Sequence, residues 1–296
     1  MLMKRFYYLL CTILLVLTSC SQEFNEDQNH SSDVAMASFA SPSEFLDTFD
    51  YLSRLSNSEL LLWVKNYNIN SVLNTSVTVQ DSLFLNIPIS LRALFNSDLE
   101  VRIGNDVVRF CNGDLSVLTY VNGQTEVKPY GTIKYESELL FSPATRGELG
   151  AEDKAASQQY EFGINANNYR YKYITQIRSF IINLGGQVNR CVLTLDVKME
   201  YKKSGSWKPA GRTRFVSVGV GGTYERGNVK GEISINKTDT WSDGYASYVL
   251  ASIESTGPVS GGTFWKYYPR PSPYINTVFQ RIEGSPESGY TMHISF

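Results

Sequence analysis

The fold is decided by three consecutive stretches in the second half of the chain: YRYKYIT at 169–175, IRSFIINL at 177–184 and VNRCVLTLDVKMEY at 188–201. They are rich in β-branched and aromatic residues, which favour strands. Tyr occupies positions 169, 171 and 173, and Arg170 and Lys172 stand between these rings. Because successive side chains of a strand point to opposite faces, this alternation predicts a strand with one aromatic face and one basic face.

Strand-like runs continue from there to the end of the chain. Gly-containing turns separate them without helical periodicity, which favours an antiparallel β-sandwich over 159–296 rather than alternating β-α units. We predict a hairpin tip at 203–207, and a bulge or turn at the Gly-rich residues 219–222. The further predicted strands are 212–220, 229–235, 245–253, 274–279 and 290–296.

Upstream of these strands the pattern is helical. SPSE at 41–44 is a capping box with Pro at the first helical position, and SNSE at 56–59 repeats the box. Apolar residues recur at the spacing of one helical face after each box. This pattern predicts a short antiparallel helix pair.

Residues 99–123 alternate apolar runs with tight turns, and Asn-Gly at 112–113 and at 122–123 is a strong hairpin signal. They predict a small meander. The predicted protein is therefore mainly β. It has an N-terminal helix pair with a small β-meander in a module at 39–141, a linker at 142–158 rich in Ala, Gly and Ser, and an antiparallel β-sandwich at 159–296.

The N-terminus carries a targeting signal. Lys4 and Arg5 precede a largely apolar stretch of 12 residues, 6–17. At about 1.5 Å per residue, a helix of this length is too short to span a hydrocarbon core of roughly 30 Å. A short apolar stretch after basic residues is typical of a secretory signal. Leu17-Thr18-Ser19-Cys20 resembles the lipobox of bacterial lipoproteins. This resemblance implies a signal peptide at 1–19 and lipid attachment at Cys20, whose acyl chains would contact a membrane.

Residues 20–38 predict an acidic, disordered tether, because polar and small residues cannot offset their ordering entropy by burial. Between 21 and 53 there are seven acids and no Lys or Arg. The acids just after Cys20 resemble the surface-export signal of gut Bacteroidota lipoproteins. This resemblance implies an outer membrane lipoprotein that faces the cell exterior.

A second resemblance covers 39–125. The helix pair, with its Ser-x-x-Glu box and a Trp, is followed by LFNSDLEVRIGNDVVRF at 94–110. Together they resemble the front half of uncharacterised surface lipoproteins of gut Bacteroidota. That group has no established activity or catalytic residues, so the resemblance implies a cell-surface role and no particular chemistry.

Composition excludes several classes of protein. The chain has 296 residues, 42% of them hydrophobic, with 27 Lys and Arg against 29 Asp and Glu. It is therefore neither collagenous nor wholly disordered, and its net charge gives no argument for nucleic acid. Cys111 and Cys191 each lie in a strand-like run, where they either form a disulfide or remain small buried thiols.

Few catalytic motifs are present. The sequence has no Gly-x-Ser-x-Gly elbow, no phosphate-binding Gly-Lys-Ser/Thr loop and no His-Glu-x-x-His motif, so we expect no cofactor and no metal. Two carboxylate pairs, Glu136 with Glu138 and Asp239 with Asp243, keep glycoside hydrolysis open. The stretch 239–244 also resembles the start of a Ca²⁺ loop, which leaves a nonstandard surface Ca²⁺ site open.

Aromatic residues at predicted turns are the candidate ligand-binding residues, because their rings can stack on sugars. These are Trp207, Trp241 and Trp265, and Asp239 and Asp243 flank Trp241 in a predicted loop. Between 165 and 230 there are 12 basic residues and three acids. Either this stretch is a solvated sheet face above an aromatic core, or it attracts an anionic glycan, lipopolysaccharide or a partner.

These observations predict a lipid-anchored cell-surface protein that acts as a binding or interaction module for a glycan or another anionic surface ligand. Two alternatives stay open: a surface glycoside hydrolase that uses paired carboxylates, and a structural or adhesin subunit. Nucleic acid is not expected as a partner at this location.

Overall fold

The computed structural model describes residues 35–73, 84–121, 124–136, 157–164, 169–185, 188–242, 244–255, 265–270 and 276–294. They belong to one compact unit, Ala35–Phe296. The predictions for the signal peptide, Cys20, Glu138, Asp243 and most of the linker lie outside the described residues. Within the described part, no helix has the length and apolar character needed to cross a bilayer.

Three helices precede most of the strands in the described part of the chain. They are α1 (Pro42–Leu52), α2 (Asn57–Asn66) and the short α3 (Ile89–Arg92), with 3₁₀ turns at Phe84–Asn86 and Pro286–Ser288. The described strands are β1 (Ser38–Phe39), β2 (Glu100–Ile103), β3 (Asp106–Cys111), β4 (Asp114–Val121), β5 (Gln124–Tyr135), β6 (Ser157–Ile164), β7 (Tyr169–Leu184), β8 (Val188–Lys202), β9 (Lys208–Pro209), β10 (Arg214–Arg226), β11 (Val229–Trp241), β12 (Tyr245–Ser255), β13 (Trp265–Pro269), β14 (Thr277–Ile282) and β15 (Tyr290–His293).

Both long helices begin at the predicted capping residues. Ser41 caps α1 by accepting a hydrogen bond from the Glu44 N–H, and Pro42 opens the helix. Ser56 and Glu59 form a complete capping box on α2. These local hydrogen bonds satisfy N–H groups that the first turn of a helix leaves free, so they fix the helix start without help from the rest of the fold.

The described strands form two sheets. In the larger sheet ten strands follow the order β1-β2-β3-β4-β5-β7-β8-β12, with β6 paired to β7 and β9 paired to β8. In the smaller sheet five strands follow the order β11-β10-β14-β15, with β13 paired to β10. The mainly β fold with N-terminal helices is confirmed.

Strands from both predicted modules share the larger sheet. β5 pairs with the C-terminal end of β7, where Tyr135 lies opposite Phe180. β6 pairs with the N-terminal end of the same strand, where Tyr160 lies opposite Tyr173. β7 is one continuous strand of 16 residues rather than the two predicted runs, because β8 pairs with it along its whole length.

Three apolar cores hold these layers together. The helices pack on the larger sheet through residues such as Phe45, Phe49 and Phe95. The two sheets face each other through residues such as Leu195 and Val218. A third core contains the predicted aromatic face of β7 at Tyr171 and Tyr173, which are 3% and 0% exposed.

Two predictions of turns are wrong. Residues 219–222 lie inside β10, and Gly222 fits there because a Cβ would overlap the backbone carbonyl of Tyr268 in β13. Gly222 therefore allows close strand approach rather than a turn. Asp239 and Trp241 belong to β11 instead of a loop, since their partners Val216 and Arg214 extend the β10 ladder to that point.

Candidate functional site

Half of the 12 basic residues between 165 and 230 have carboxylate partners among the described residues, and three of them, Arg170, Arg190 and Arg226, pair with acids from outside this stretch. The front-end acids Asp47 and Asp50 lie 3.2 and 3.3 Å from the Arg190 guanidinium. Five further basic residues of this region also have carboxylate partners: Arg170 with Glu161, Lys172 with Glu200, Arg178 with Asp196, Arg226 with Glu136 and Lys230 with Glu225. The solvated-face interpretation therefore accounts for much of this charge.

One group of basic residues surrounds a half-buried Trp, and we call it the Trp207 cluster: Trp207 with Arg170, Lys172 and Lys202. The Lys172 Nζ lies 4.6 Å from the centre of the Trp207 ring, the Lys202 Nζ 5.9 Å and the Arg170 Cζ 6.0 Å. A cation within about 6 Å of an aromatic face is attracted by the ring quadrupole. The cluster therefore combines an aromatic ring with three cations.

Strand register builds this cluster. Arg170 lies directly opposite Lys202 in the β7–β8 ladder, and Lys172 lies opposite Glu200. The chain turns after β8 at Gly205, whose φ of +74° suits glycine, and β9 returns to pair with β8. This turn, predicted as a hairpin tip, brings Trp207 over the basic face of β7.

Charge that is not neutralised collects at this end of the sheet. The described residues include no carboxylate partner for four cations there: Lys202, Lys203, Lys208 and Arg212. Lys203 lies over the Tyr169 ring, with its Nζ 5.5 Å from the ring centre. Arg212 donates a hydrogen bond to the Tyr171 hydroxyl at 3.2 Å. The end of the sheet is thus both basic and aromatic.

The same sheet face continues inward as a buried polar network. Asp196 is fully buried and accepts hydrogen bonds from the Tyr245 hydroxyl at 2.9 Å and from the Ser247 hydroxyl at 3.1 Å, and Arg178 pairs with it. Burial raises the pKa of Tyr245 well above its ordinary value, and burial lowers the pKa of Lys198. These contacts lie inward of the Trp207 cluster, in which Arg170 is exposed, Lys202 is half-buried and Lys172 is buried.

Two of the candidate Trp residues do not offer a ring to solvent. Trp241 is 3% exposed, and its indole N–H donates to the Tyr248 hydroxyl at 3.1 Å. Trp265 is 1% exposed, and its indole N–H donates to the Ser179 hydroxyl at 2.8 Å. Each of the two lies at a strand end that faces the core between the sheets.

Asp239 has a structural partner. Its carboxylate accepts a hydrogen bond from the Asn57 N–H at 3.0 Å, at the first residue of α2, where the helix dipole favours negative charge. On the same strand the Lys237 Nζ donates to the Ser53 and Leu55 carbonyls, both at 3.1 Å, just beyond α1. The cavity beside Asp239 measures about 20 Å³, room for about one water molecule.

Glu136 is likewise occupied. It forms a two-pronged ion pair with Arg226, whose Nη1 donates to Oε2 at 2.9 Å, and it also accepts from the Ser179 hydroxyl. Glu136 and Asp239 therefore serve as contacts between layers. Their predicted pair partners Glu138 and Asp243 lie outside the described residues.

Cys191 is a buried free thiol, so Cys111 and Cys191 do not form the disulfide that the sequence left open. Burial raises the pKa of this thiol. Within the described ranges, no three His, Cys, Asp or Glu side chains are grouped so that they could hold a metal ion.

Comparison with known proteins gives little for transfer of function. No family model matches the chain, and no curated protein matches it. Among solved structures, a DUF4848 family protein from Bacteroides thetaiotaomicron is similar at a TM-score of 0.21 and 10% identity, over 88% of this chain and 96% of that chain. The chain thus has a distant neighbour in Bacteroides, and the likeness is too remote to carry a fold or a function over.

Sequence reasoning found Trp207 and the basic face, but it did not bring them together. Arg170 and Lys172 alternate with Tyr residues, so the local period of two by itself places both cations on one face of the strand. The approach of Lys202 depends on the register between β7 and β8, which a local pattern does not contain. The hairpin tip after Lys202 was the signal that could have suggested it.

Proposed function

We propose that this protein is a lipid-anchored lipoprotein of the outer cell surface that binds an acidic glycan at the Trp207 cluster. One observation carries the ligand class: Lys202, which has no described carboxylate partner, lies 5.9 Å from the centre of the half-buried Trp207 ring. Lys203, Lys208 and Arg212 lie at the same end of the sheet, on its Tyr face. The lipobox and the acidic tether support the anchoring and the location. The attachment residue in this proposal is Cys20.

An acidic polysaccharide suits both parts of the cluster. Its carboxylate or sulfate groups would exchange hydration for the ammonium group of Lys202, and a sugar ring would pack on Trp207. Lys203 and Lys208, at the same end of the sheet but on its Tyr face, would add longer-range attraction. Arg170 and Lys172 already have carboxylate partners at Glu161 and Glu200, so they hold the ring in place more than they attract the ligand. The surface therefore favours a flexible, negatively charged chain over a neutral one.

Binding to soluble polymers tests this proposal. The full mature chain is titrated with dextran sulfate, with polygalacturonate and with uncharged dextran, at low and at high salt. We expect binding to the two acidic polymers, with an affinity that falls as salt rises because salt screens exposed charges. Trp207→Ala and Lys202→Glu should each weaken binding at least about tenfold, which corresponds to about 1.4 kcal/mol.

Matched variants lie on a different surface of the same protein. Tyr67 is 65% exposed at the end of α2, and Lys65 is exposed on the same helix. Tyr67→Ala and Lys65→Glu should bind the acidic polymers as the parent does. If the parent fails to bind either acidic polymer, or if the Trp207 and Lys202 variants bind as tightly as the parent, the proposed ligand class is wrong.

Anchoring has its own test. Cys20→Ala should release the protein from the membrane fraction of the producing cell, because two or three acyl chains supply the membrane affinity in this proposal. A Cys20→Ala protein that stays with membranes would contradict the lipid anchor, and it would leave the glycan test unaffected.

A further inference from the structure

A cavity of about 270 Å³ lies on the outer face of the smaller sheet, away from the Trp207 cluster. Three neighbouring strands supply its floor at one level. Phe215 of β10 lies directly opposite Thr240 of β11 on one side and opposite Arg281 of β14 on the other. The rim is formed by the segment that follows β14, including Glu283 and Ser285.

Backbone hydrogen bonds fix this rim. The Glu283 N–H donates to the Thr213 carbonyl at 3.0 Å, and the chain reverses at Gly284, whose φ is +72°. The Ser288 hydroxyl accepts from the Ile282 N–H at 2.8 Å and donates to the Ser285 carbonyl at 2.6 Å. A rim held in this way keeps the cavity formed without a ligand, which lowers the ordering cost of binding.

The lining combines one aromatic ring with balanced polar groups. The Arg281 Cζ lies 5.8 Å from the centre of the half-buried Phe215 ring. Arg281 and Glu283 carry opposite charges and are both exposed, and Thr240 adds an exposed hydroxyl. An aromatic floor with a few convergent donors and acceptors is the usual form of a small-molecule site.

We propose that this cavity binds one neutral sugar ring. The apolar C–H face of a pyranose would pack on Phe215, while Arg281, Glu283 and Thr240 would donate to and accept from its hydroxyls. One guanidinium and one carboxylate cancel in charge, which disfavours an anion. The volume lies below the roughly 300–1,000 Å³ of pockets for drug-sized ligands, so the site fits a single ring.

The lining also limits the chemistry to binding. Hydrolysis by the common mechanism needs two carboxyl groups about 5 to 10 Å apart across the sugar bond. Among the described residues that line the cavity, Glu283 is the one carboxylic acid. The site is therefore a second binding site, and it stands independently of the proposed acidic-glycan site, which lies on the other sheet.

Saturation-transfer NMR on the full mature chain tests this proposal. The probes are the methyl glycosides of glucose, galactose and mannose, with methyl glucuronoside as the anionic comparison, all at millimolar concentration. We expect transfer to the ring C–H protons of at least one neutral glycoside. The signal should disappear in Phe215→Ala and weaken at least tenfold in Glu283→Gln, whose exposed side chain lies outside the cores.

Two variants serve as controls. Phe279 lies beside Phe215, with ring centres 6.2 Å apart, so Phe279→Leu changes a neighbouring ring outside the cavity lining. Trp207→Ala removes the acidic-glycan site. Both should keep the neutral-sugar signal. The proposal is overturned if none of the three neutral glycosides shows transfer, if only the glucuronoside does, or if the signal survives both Phe215→Ala and Glu283→Gln.

Discussion

Substitution of Glu136 by Gln leaves the Arg226 guanidinium buried without its ionic partner. The Arg226 side chain is 3% exposed and the Glu136 side chain is 15% exposed, so water reaches little of this pair. Glu136 follows the last residue of β5 in the larger sheet and Arg226 ends β10 in the smaller one, and the pair therefore ties the two sheets together.

The magnitude follows from this burial. Removing one partner of a buried ion pair destabilises a protein by about 3–5 kcal/mol, because the remaining charge has lost its compensation. Gln keeps one oxygen that can accept a hydrogen bond from Arg226. We therefore expect the free energy of unfolding to fall by about 3 kcal/mol, the lower end of that range. The double variant Glu136→Gln/Arg226→Met removes the stranded charge as well. It should be more stable than Glu136→Gln alone, with a coupling energy of about 2 kcal/mol.

Urea unfolding followed by Trp fluorescence measures these free energies. The control is Asp114→Asn, which breaks the exposed pair between Asp114 and Lys134 on neighbouring strands of the same sheet, with side chains 60% and 55% exposed. This control should lose less than about 1 kcal/mol, as surface pairs do. A loss for Glu136→Gln no larger than that of Asp114→Asn, or a double variant less stable than the single one, would refute the argument from burial.

Three further predictions concern stability, each read from urea unfolding midpoints. Asp239→Ala should lower the free energy of unfolding by about 1 kcal/mol, because the Asn57 N–H loses its acceptor at the start of α2. Burial raises the pKa of Tyr173 from 10.0 to about 12. The unfolded chain loses this proton first, so stability should fall as pH rises from about 10 to about 12, by about 1.4 kcal/mol per unit, and Tyr173→Phe should remove that part of the fall. Gly131→Ala should destabilise strongly, since its Cβ would overlap the Asn183 carbonyl, whereas Gly163→Ala, also in a strand, meets no atom within 4 Å and should be tolerated; equal effects of the two alanines would contradict the close approach of β5 to β7.

Local patterns predicted the elements that depend on near neighbours. The Ser-x-x-Glu patterns placed the starts of both long helices, because Ser41 and Ser56 each accept a hydrogen bond from the N–H three residues on. Asn112 and Gly113 both have positive φ, as the Asn-Gly hairpin signal requires. The Tyr alternation correctly placed Tyr171 and Tyr173 in the core and Arg170 on the opposite face.

Local patterns could not assign partners across the chain. β6 was missed because its sequence, SQQYEFGI, has mostly polar residues, and it forms a strand by pairing with an edge of β7 that β5 leaves open. For the same reason, the sequence analysis predicted only part of the candidate site. Trp207 and the alternation of basic residues were visible in the sequence. The carboxylates that neutralise Arg190 and Arg226 come from residues about 90 to 140 positions away. Because the entropy cost of closing a loop grows only slowly with its length, such distant residues can pair, and no local pattern shows which ones do.

The sequence by itself determined the strand and helix content, the capped helix starts, the tight turns and the face on which each alternating side chain lies, since short-range hydrogen bonds and a period of two fix them. The tertiary structure alone decided which strands meet, which Trp rings are buried and which cations keep their charge unpaired. These outcomes depend on burial and on register between distant segments. Register places Lys202 beside Arg170, and burial leaves Trp207 accessible while Trp241 and Trp265 are enclosed.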